Sequence, residues 1–226
     1  MTTVLHTLAA VGPMAVAWGA HGLWMRRRLT SARRDPLSGL WTRDAFETRA
    51  TRALARRPHV AVILCDLDGF KAINDTHGHA AGDAAIRAAA ASLNDTLAGH
   101  PGAVAARLGG DEFAAVVPLA DPLALPWLLR GLHGEMTAPF RHAGRDLAVG
   151  ASIGAALSSD LNPAVSRPGE ALGVLLRLAD EAMYAVKRTG GDGWHYPAAA
   201  SPERGTTAGR RTGRPGTHTT HREGAA

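Results

Sequence analysis

Acidic side chains occupy two places where an apolar run of the sequence ends. The first follows residues 59–65 (HVAVILC) and reads Asp66-Leu67-Asp68, with Gly69-Phe70-Lys71 directly after it. A carboxylate at the end of a strand can bind a metal ion, and the free N–H groups of a following helix favour a phosphate. Lys71 would add positive charge over that phosphate. An Asp-x-Asp pair can also cap a helix, so this pattern alone leaves both roles open.

The second acidic position follows a pair of glycines. Residues 107–113 read RLGGDEF, which places the carboxylates of Asp111 and Glu112 directly after Gly109-Gly110. Glycines tolerate positive φ and let a ligand approach the backbone, and carboxylates supply the oxygen ligands of a hard cation. An ordinary turn with solvated acids is the alternative. Two acidic strand ends that share one Mg²⁺ would be a stronger signal than either motif alone.

The lysine, cysteine and histidine residues limit which ligands and metal sites the chain could have. Only two of the 25 cationic side chains are lysine, Lys71 and Lys187, and a compact ammonium suits a phosphate. The single cysteine, Cys65, excludes internal disulfides and a cysteine-based zinc site, and its apolar surroundings predict a small buried thiol. His77 and His79 have the spacing of a transition-metal pair, but no cysteine or third histidine is near, which favours a structural turn.

The positive charge of the chain belongs to its two ends. Of the formal net charge of +5, residues 1–34 contribute five arginines and no acid, and residues 198–226 contribute five arginines and two glutamates. Residues 35–197 hold 15 basic and 18 acidic residues and are therefore slightly acidic. A domain that binds the phosphate backbone of a nucleic acid should itself be basic, so we expect no nucleic-acid partner.

The N-terminal segment has the pattern of a membrane anchor. Residues 4–25 contain no charged side chain, and Arg26, Arg27 and Arg28 follow at once, as expected for a cytoplasmic flank. We expect a single-pass anchor in the cell membrane, with the rest of the chain in the cytoplasm. A soluble helix that pairs with a partner is the alternative. The sequence thus divides into an anchor and arginine-rich stalk at 1–34, a folded domain at 35–197, and a disordered basic tail at 198–226.

Within the folded domain, the apolar period switches repeatedly between helix and strand. The Gly109-Gly110 pair separates two short strands and predicts a β-hairpin. Helices interleaved with strands indicate an α/β layered fold with a mixed or antiparallel sheet. The expected helices are 44–57, 80–98, 122–135 and about 170–189, and the expected strands are 59–65, 103–107, 112–118 and 147–157.

Five motifs in order resemble one known family. Residues 109–113 spell its GGDEF signature, and residues 35–40 (DPLSGL) look like its opening D-x-L-T-G-L segment. Residues 66–74 match its D-x-D-x-F-K-x-x-N element, 77–83 its H-G-H-x-x-G-D run, and 179–187 its closing helix. The middle of the chain therefore resembles the GGDEF family of diguanylate cyclases.

The resemblance implies a fold and a reaction. The fold would be palm-like, α/β (α+β), with a central mostly antiparallel sheet flanked by helices, here preceded by one N-terminal hydrophobic helix. The reaction would condense two GTP into cyclic di-GMP and release two pyrophosphates, with Mg²⁺ as cofactor and Mn²⁺ as a substitute. Each domain of the family holds one GTP, so a homodimer is expected, and the anchor and stalk could pair the two chains.

The resemblance also implies which residues hold the metal. Asp66 and Asp111 would be side-chain ligands of Mg²⁺, joined by the carbonyl of Leu67. Glu112 would lie beside them and help with the metals or with deprotonation of the attacking 3′-hydroxyl. The sequence does not assign the base between Asp111 and Glu112.

The substrate residues implied by the family lie on either side of this centre. Asn74 and Asp83 would read the guanine edge, since a carboxylate can accept hydrogen bonds from both N1–H and the exocyclic amine. The backbone of Phe70 and Lys71, with the side chains of Lys71 and Lys187, would hold the β- and γ-phosphates. Metal-binding acids and phosphate-binding cations are the parts that phosphoryl transfer needs.

The chain departs from the family pattern at two places. Gly191 stands where many members have a phosphate-binding arginine, which could weaken GTP binding. The product-inhibition motif R-x-x-D would fall at 100–103, which reads HPGA. We therefore expect no product inhibition through that site. A non-catalytic module that binds GTP or a partner protein in signalling is the alternative function.

Overall fold

The computed structural model describes Trp18 and residues 33–161 and 167–197. The predicted disordered tail, and the predicted anchor helix apart from Trp18, lie outside these residues. None of the helices in the described ranges is both long and apolar enough to cross a bilayer.

The described chain forms a mixed α/β fold around one five-stranded sheet with strand order β2-β3-β1-β6-β7. All neighbouring strands are antiparallel except β6 and β7, and β4 pairs with β5 in a separate hairpin. The expected mixed fold with a mostly antiparallel sheet is confirmed. The helices are α1 (Arg43–Leu54), α2 (Phe70–His77), α3 (His79–Leu97), α4 (Leu125–Met136) and α5 (Pro168–Arg188). The strands are β1 (Val60–Asp68), β2 (Val104–Gly109), β3 (Glu112–Pro118), β4 (Phe140–His142), β5 (Arg145–Leu147), β6 (Gly150–Leu157) and β7 (Gly193–His195).

Strand β1 is apolar throughout because both of its faces are covered. Ile63 and Leu67 belong to the core formed with α3 and α4, whereas Val62 and Leu64 belong to the core formed with α1 and α5. Side chains alternate between the two faces of a strand, so a strand buried on both sides reads as a continuous apolar run. Cys65 is buried as predicted, and burial, with the charge of Asp66, raises the pKa of its thiol to about 12.

Strand β1 also extends further than the sequence suggested. The predicted end at Asp66 is where pairing with β3 ends, opposite Glu112. Pairing with β6 continues to Asp68, which lies opposite Gly150. Because alternate residues share a face, Asp66 and Asp68 both project toward the side of the sheet that α5 covers.

Candidate active site

The two acidic motifs lie together at one end of the sheet. The N–H of Leu67 donates to the carbonyl of Asp111 at 3.3 Å, and Asp66 is paired in register with Glu112. The predicted hairpin between β2 and β3 is present, with positive φ at both Gly109 and Gly110. The end of β1 and the hairpin turn therefore carry carboxylates side by side.

Lys187, on α5, contacts this acidic centre directly. Its Nζ lies 2.8 Å from Oδ1 of Asp66, and these side chains are 35% and 14% exposed, respectively. Burial raises the pKa of Asp66, as do the charges of Asp111 and Asp68, against the opposing effect of Lys187. Burial would lower the pKa of Lys187, but its hydrogen bond to Asp66 and the nearby carboxylates outweigh burial and raise it. Lys187 is therefore an ammonium held against the acids.

Asp68 is anchored by contacts that the sequence reading missed. Both of its carboxylate oxygens accept from the hydroxyl of Ser152, at 2.9 and 2.8 Å, and one accepts from the N–H of Asp192 at 2.8 Å. Ser152 is fully buried in β6 and is the hydroxyl within an otherwise apolar strand, GASIGAAL. That lone hydroxyl is the sequence signal that could have indicated a buried polar partner.

Gly191 lies against the same carboxylate. It has φ +78°, and a Cβ added to it would be 3.0 Å from Oδ2 of Asp68. Most side chains are strained at such a φ, and the space that a Cβ would need is bounded by Asp68. In this chain the position where the family often has an arginine is a tight glycine turn.

An ion pair ties the opening segment of the domain to the hairpin. Arg107 Nη1 contacts Oδ1 of Asp35 at 3.1 Å, and its Nε donates to the carbonyl of Gly110 at 2.9 Å. The N–H and hydroxyl of Ser38 donate to the same Asp35 oxygen. Burial would raise the pKa of Asp35, but these hydrogen bonds and the charge of Arg107 outweigh it and hold the pKa below its usual value. Asp35 and Arg107 therefore support the turn that carries Asp111.

The predicted phosphate-binding residues stand at the start of α2. Gly69 has φ 78° and precedes the helix, so Phe70 and Lys71 form its first turn. The first N–H groups of a helix have no intrahelical acceptor, and the helix dipole adds partial positive charge there. Lys71 is exposed to solvent. This turn follows Asp68 by two residues and so borders the acidic centre.

Asn74 and Asp83 are placed by the packing of α2 against α3. A Cβ at Gly82 would overlap the amide of Asn74, so this glycine leaves the space that the Asn74 side chain occupies. Asp83 is the next residue, and it pairs with Arg87 at 3.6 Å with half of its side chain exposed. Glycine in the H-G-H-x-x-G-D run thus brings the two predicted guanine readers close together on neighbouring helices.

The donor set fits Mg²⁺ held jointly with a phosphate ligand. In the parts of the chain that the structure describes, no three His, Cys, Asp or Glu side chains are grouped to hold a metal by themselves, and His77 and His79 flank Gly78 in the turn between α2 and α3. Mg²⁺ is usually bound by one or two carboxylates together with water and substrate phosphates. Asp111 is close enough to Asp66 for its charge to raise the pKa of Asp66. The ammonium of Lys187 contacts Asp66 and therefore lies beside these carboxylates.

Comparison with known sequences agrees with this geometry. The sequence model of the family described as "Diguanylate cyclase, GGDEF domain" matches residues 32–193. This chain belongs to the GGDEF family. The match begins three residues before the predicted domain start and ends inside β7.

GGDEF relatives include both short and long proteins. A 19.3 kDa protein of Streptomyces ambofaciens is 44% identical over 182 residues, covering 80% of this chain and 92% of its own length. The diguanylate cyclase DgcP of Pseudomonas aeruginosa is 34% identical over 163 residues, covering 70% of this chain but 23% of that protein. This chain therefore corresponds to less than a quarter of the longer cyclase.

Solved GGDEF structures share the fold. The coiled coil and GGDEF domain of DgcB from Caulobacter crescentus, in complex with c-di-GMP, superpose with a TM-score of 0.69 at 28% identity, covering 85% of this chain and 99% of that one. A sensory box/GGDEF family protein from the same organism has a TM-score of 0.59 at 38% identity, covering 70% of this chain and 99% of its own. The expected resemblance to GGDEF diguanylate cyclase domains is confirmed by both comparisons.

Proposed function

We propose that this protein is a diguanylate cyclase that condenses two GTP into cyclic di-GMP with release of two pyrophosphates. The observation that carries the proposal is the acidic centre, where Asp66 and the Asp111 hairpin meet against the ammonium of Lys187. Carboxylates for a divalent cation and an ammonium for a phosphate are the groups that a nucleotidyl transfer requires.

Each bond-forming step breaks one phosphoanhydride bond and forms one phosphodiester bond. The 3′-oxygen of one GTP bonds to the α-phosphorus of the other, and the bond from that phosphorus to the bridging oxygen of the β-phosphate breaks. Pyrophosphate leaves with the electron pair of the broken bond, and the hydroxyl proton passes to a carboxylate or to solvent. The 3′-oxygen of the second nucleotide then bonds to the α-phosphorus of the first in the same way, which closes the ring and releases the second pyrophosphate.

The residues of the acidic centre divide this work between them. Asp66, Asp111 and the Leu67 carbonyl would hold Mg²⁺, and when bound this ion would neutralise charge that develops on the phosphates. Glu112, exposed beside Asp111, would orient the attacking hydroxyl or accept its proton. Asp68 is a positioning residue, because its oxygens are already engaged by Ser152 and the 192 amide.

The nucleotide would lie between the acidic centre and the α2–α3 pair. The N–H groups of Phe70 and Lys71 and the Lys71 ammonium would hold the β- and γ-phosphates, while Asn74 and Asp83 would bind the guanine edge. Lys187 would exchange its contact with Asp66 for one with a phosphate once that carboxylate binds a metal. This exchange gives the chain a phosphate-binding cation where Gly191 supplies none.

Assembly and location form a second part of the proposal. Each domain would hold one GTP, so two chains must face each other for product to form. Residues 4–25 would anchor the dimer in the cell membrane, with the catalytic domain in the cytoplasm. Membrane fractionation of the full chain and of a variant lacking residues 1–30 checks the anchor, and cross-linking of the same pair checks the dimer. A shortened variant that stays in the membrane fraction after a high-salt wash would contradict the anchor, and one that stays dimeric would show that residues 1–30 do not pair the chains.

The decisive experiment measures turnover and binding together. Full-length protein in detergent is incubated with Mg²⁺ and either GTP or ATP, and products are separated by chromatography and identified by mass spectrometry. We expect cyclic di-GMP from GTP and no cyclic product from ATP. Tight GTP binding without any product would instead favour the non-catalytic module, an alternative that the glycine at 191 supports.

A further inference from the structure

A cluster of arginines lines two clefts beside α1, and neither cleft contains a residue assigned to catalysis. Arg49 and Arg52 project from α1, and Arg56 and Arg57 follow directly after it. A spacing of three residues places Arg49 and Arg52 on one side of the helix, and both line the same cleft as Arg56 and Arg57. Arg33 and Arg34 come from the segment that precedes the helix. We call these six residues the arginine face.

The arginine face is built around the half-buried ring of Trp41. The ring of Trp41 lies between two guanidinium groups, with Arg34 and Arg49 each 3.6 Å from its centroid on stacking contacts. Arg34 also donates to the carbonyl of Gly39 at 2.8 Å. A cleft of about 480 Å³ beside this stack is lined by Trp41 and four arginines of the face and reaches the start of β2. Arg34 and Arg49 are therefore held against the ring, whereas Arg52, Arg56 and Arg57 are exposed to solvent.

No carboxylate neutralises this face within the described ranges. None of its six arginines lies within 4.0 Å of a carboxylate oxygen, whereas Arg87, Arg107, Arg141 and Arg177 each do. Asp44 lines a smaller neighbouring cleft together with Arg33, Arg49 and Arg52, but it forms no ion pair within 4.0 Å with any of them. Burial, and to a lesser extent the charge of Arg49, lower the pKa of Arg34, so these two stacked cations repel each other. An external polyanion would relieve that repulsion.

We propose that the arginine face binds the anionic phospholipid headgroups of a bilayer, a role beyond the proposed catalytic function. Guanidinium groups bind phosphates through paired N–H donors, and arginines close to an anionic surface add to membrane affinity. The cations continue in the sequence at 26–28, directly after the uncharged run 4–25. Both ring faces of Trp41 are covered, so the cluster offers no free aromatic ring on which a nucleic-acid base could stack.

Chemical protection of the arginines tests this proposal on the wild-type full chain. The protein is reconstituted in vesicles of phosphatidylcholine alone or with phosphatidylglycerol, and phenylglyoxal modification is mapped by mass spectrometry. We expect Arg52, Arg56 and Arg57 to react several-fold more slowly in the anionic vesicles, and Arg130 and Arg141 to react equally in both. Because each reading is local, insertion of the N-terminal segment into either membrane does not mask it. Equal reactivity of the three face arginines in the two vesicles would overturn the proposal.

A charge-matched pair of variants provides the second reading. Flotation with phosphatidylcholine vesicles, with and without phosphatidylglycerol, compares Arg52→Gln/Arg56→Gln/Arg57→Gln with Arg130→Gln/Arg141→Gln/Arg145→Gln. Both variants lack residues 1–30, so that insertion of the uncharged run does not mask the effect, and circular dichroism first confirms that both are folded. At about fivefold per arginine, the first variant should lose up to roughly a hundredfold in the affinity gained from anionic lipid, and the second should lose little. Equal losses would overturn the assignment to this face. Protection of the face by duplex DNA or a cyclic dinucleotide at lower phosphate concentration than by vesicles would assign it to a nucleotide ligand instead.

Discussion

The acidic centre and the arginine face each cluster like charges, but they differ in whether the described chain supplies partners for those charges. In the centre, Asp66 contacts Lys187, and Asp68 accepts from Ser152 and from a backbone N–H. On the arginine face the cations surround Trp41 and meet no carboxylate among the described residues. Charges with internal partners are held in one geometry before any ligand arrives. Charges that lack internal partners create an electrostatic potential that can attract an external ligand of opposite charge.

The largest expected effect comes from removing the charge of Asp66. Asp66→Asn would lose a metal ligand and the partner of Lys187, so we expect cyclase activity to fall on the order of a thousandfold. Product formation under saturating GTP is the measurement. Asp146→Asn removes an exposed carboxylate from the β4–β5 hairpin and should keep full activity. Activity of Asp66→Asn within tenfold of wild type would remove the centre from the mechanism.

Replacing Lys187 should weaken the binding of GTP but strengthen the binding of a metal ion in the absence of nucleotide. In Lys187→Gln, we expect the KM for GTP to rise about tenfold or more, because a phosphate loses an ionic partner. The same variant should bind Mn²⁺ more tightly in the absence of nucleotide, since Asp66 is no longer paired with an ammonium. Electron paramagnetic resonance of free Mn²⁺ reports the second effect independently of activity. Unchanged nucleotide-free Mn²⁺ affinity would mean that the ion pair does not compete with the metal.

The Asp35–Arg107 pair should contribute measurable, acid-sensitive stability. We expect Asp35→Asn to lower the free energy of unfolding by about 1–3 kcal/mol at pH 7, since Arg107 and Ser38 lose a charged acceptor. The folded pKa of Asp35 lies below its unfolded value, so its contribution is present above about pH 4 and is lost as the pH falls through the folded pKa. Urea unfolding of both proteins from pH 7 to pH 3 measures this. A difference that stayed constant down to pH 3 would contradict the assignment.

The smallest effect is expected on the arginine face. Removing three exposed charges in Arg52→Gln/Arg56→Gln/Arg57→Gln should change the free energy of unfolding by no more than about 0.5 kcal/mol, or raise it slightly, because repulsion is relieved. Thermal unfolding of the lipid-free protein at low salt is the measurement. A destabilisation comparable to that of Asp35→Asn would show that these arginines have structural partners and would remove the contrast between the two regions.

The sequence predicted the parts of the molecule that local pattern determines. The alternation of apolar runs placed β1, β3 and α3 to within a few residues, and Gly109-Gly110 correctly indicated the hairpin. The three-residue strands β4, β5 and β7 were not predicted, because so short a run has no readable period. Strand β1 passed its predicted end because its last pairs are made with β6, far along the chain.

The ion pairs and hydrogen bonds between residues far apart in the sequence could not be predicted. Asp35 and Arg107 are 72 positions apart, and Asp68 and Ser152 are 84 apart, so no local pattern connects them. Lys187 and Asp66 were each identified as site residues but were assigned to different ligands, and their direct contact emerges only from the packing of α5. The residue types indicated the chemistry, and the tertiary fold determined which charges are neutralised internally.

The central claim is that the carboxylates beside the hairpin make this protein a diguanylate cyclase. The most direct test compares wild type and Asp111→Asn at full length, each incubated with GTP and Mg²⁺ after GTP binding has been measured. We predict that wild type forms cyclic di-GMP with two pyrophosphates per product, and that Asp111→Asn stays folded, still binds GTP and forms no detectable product. Equal product formation by the two proteins, or GTP binding by dimeric wild type with no product at all, would contradict the claim.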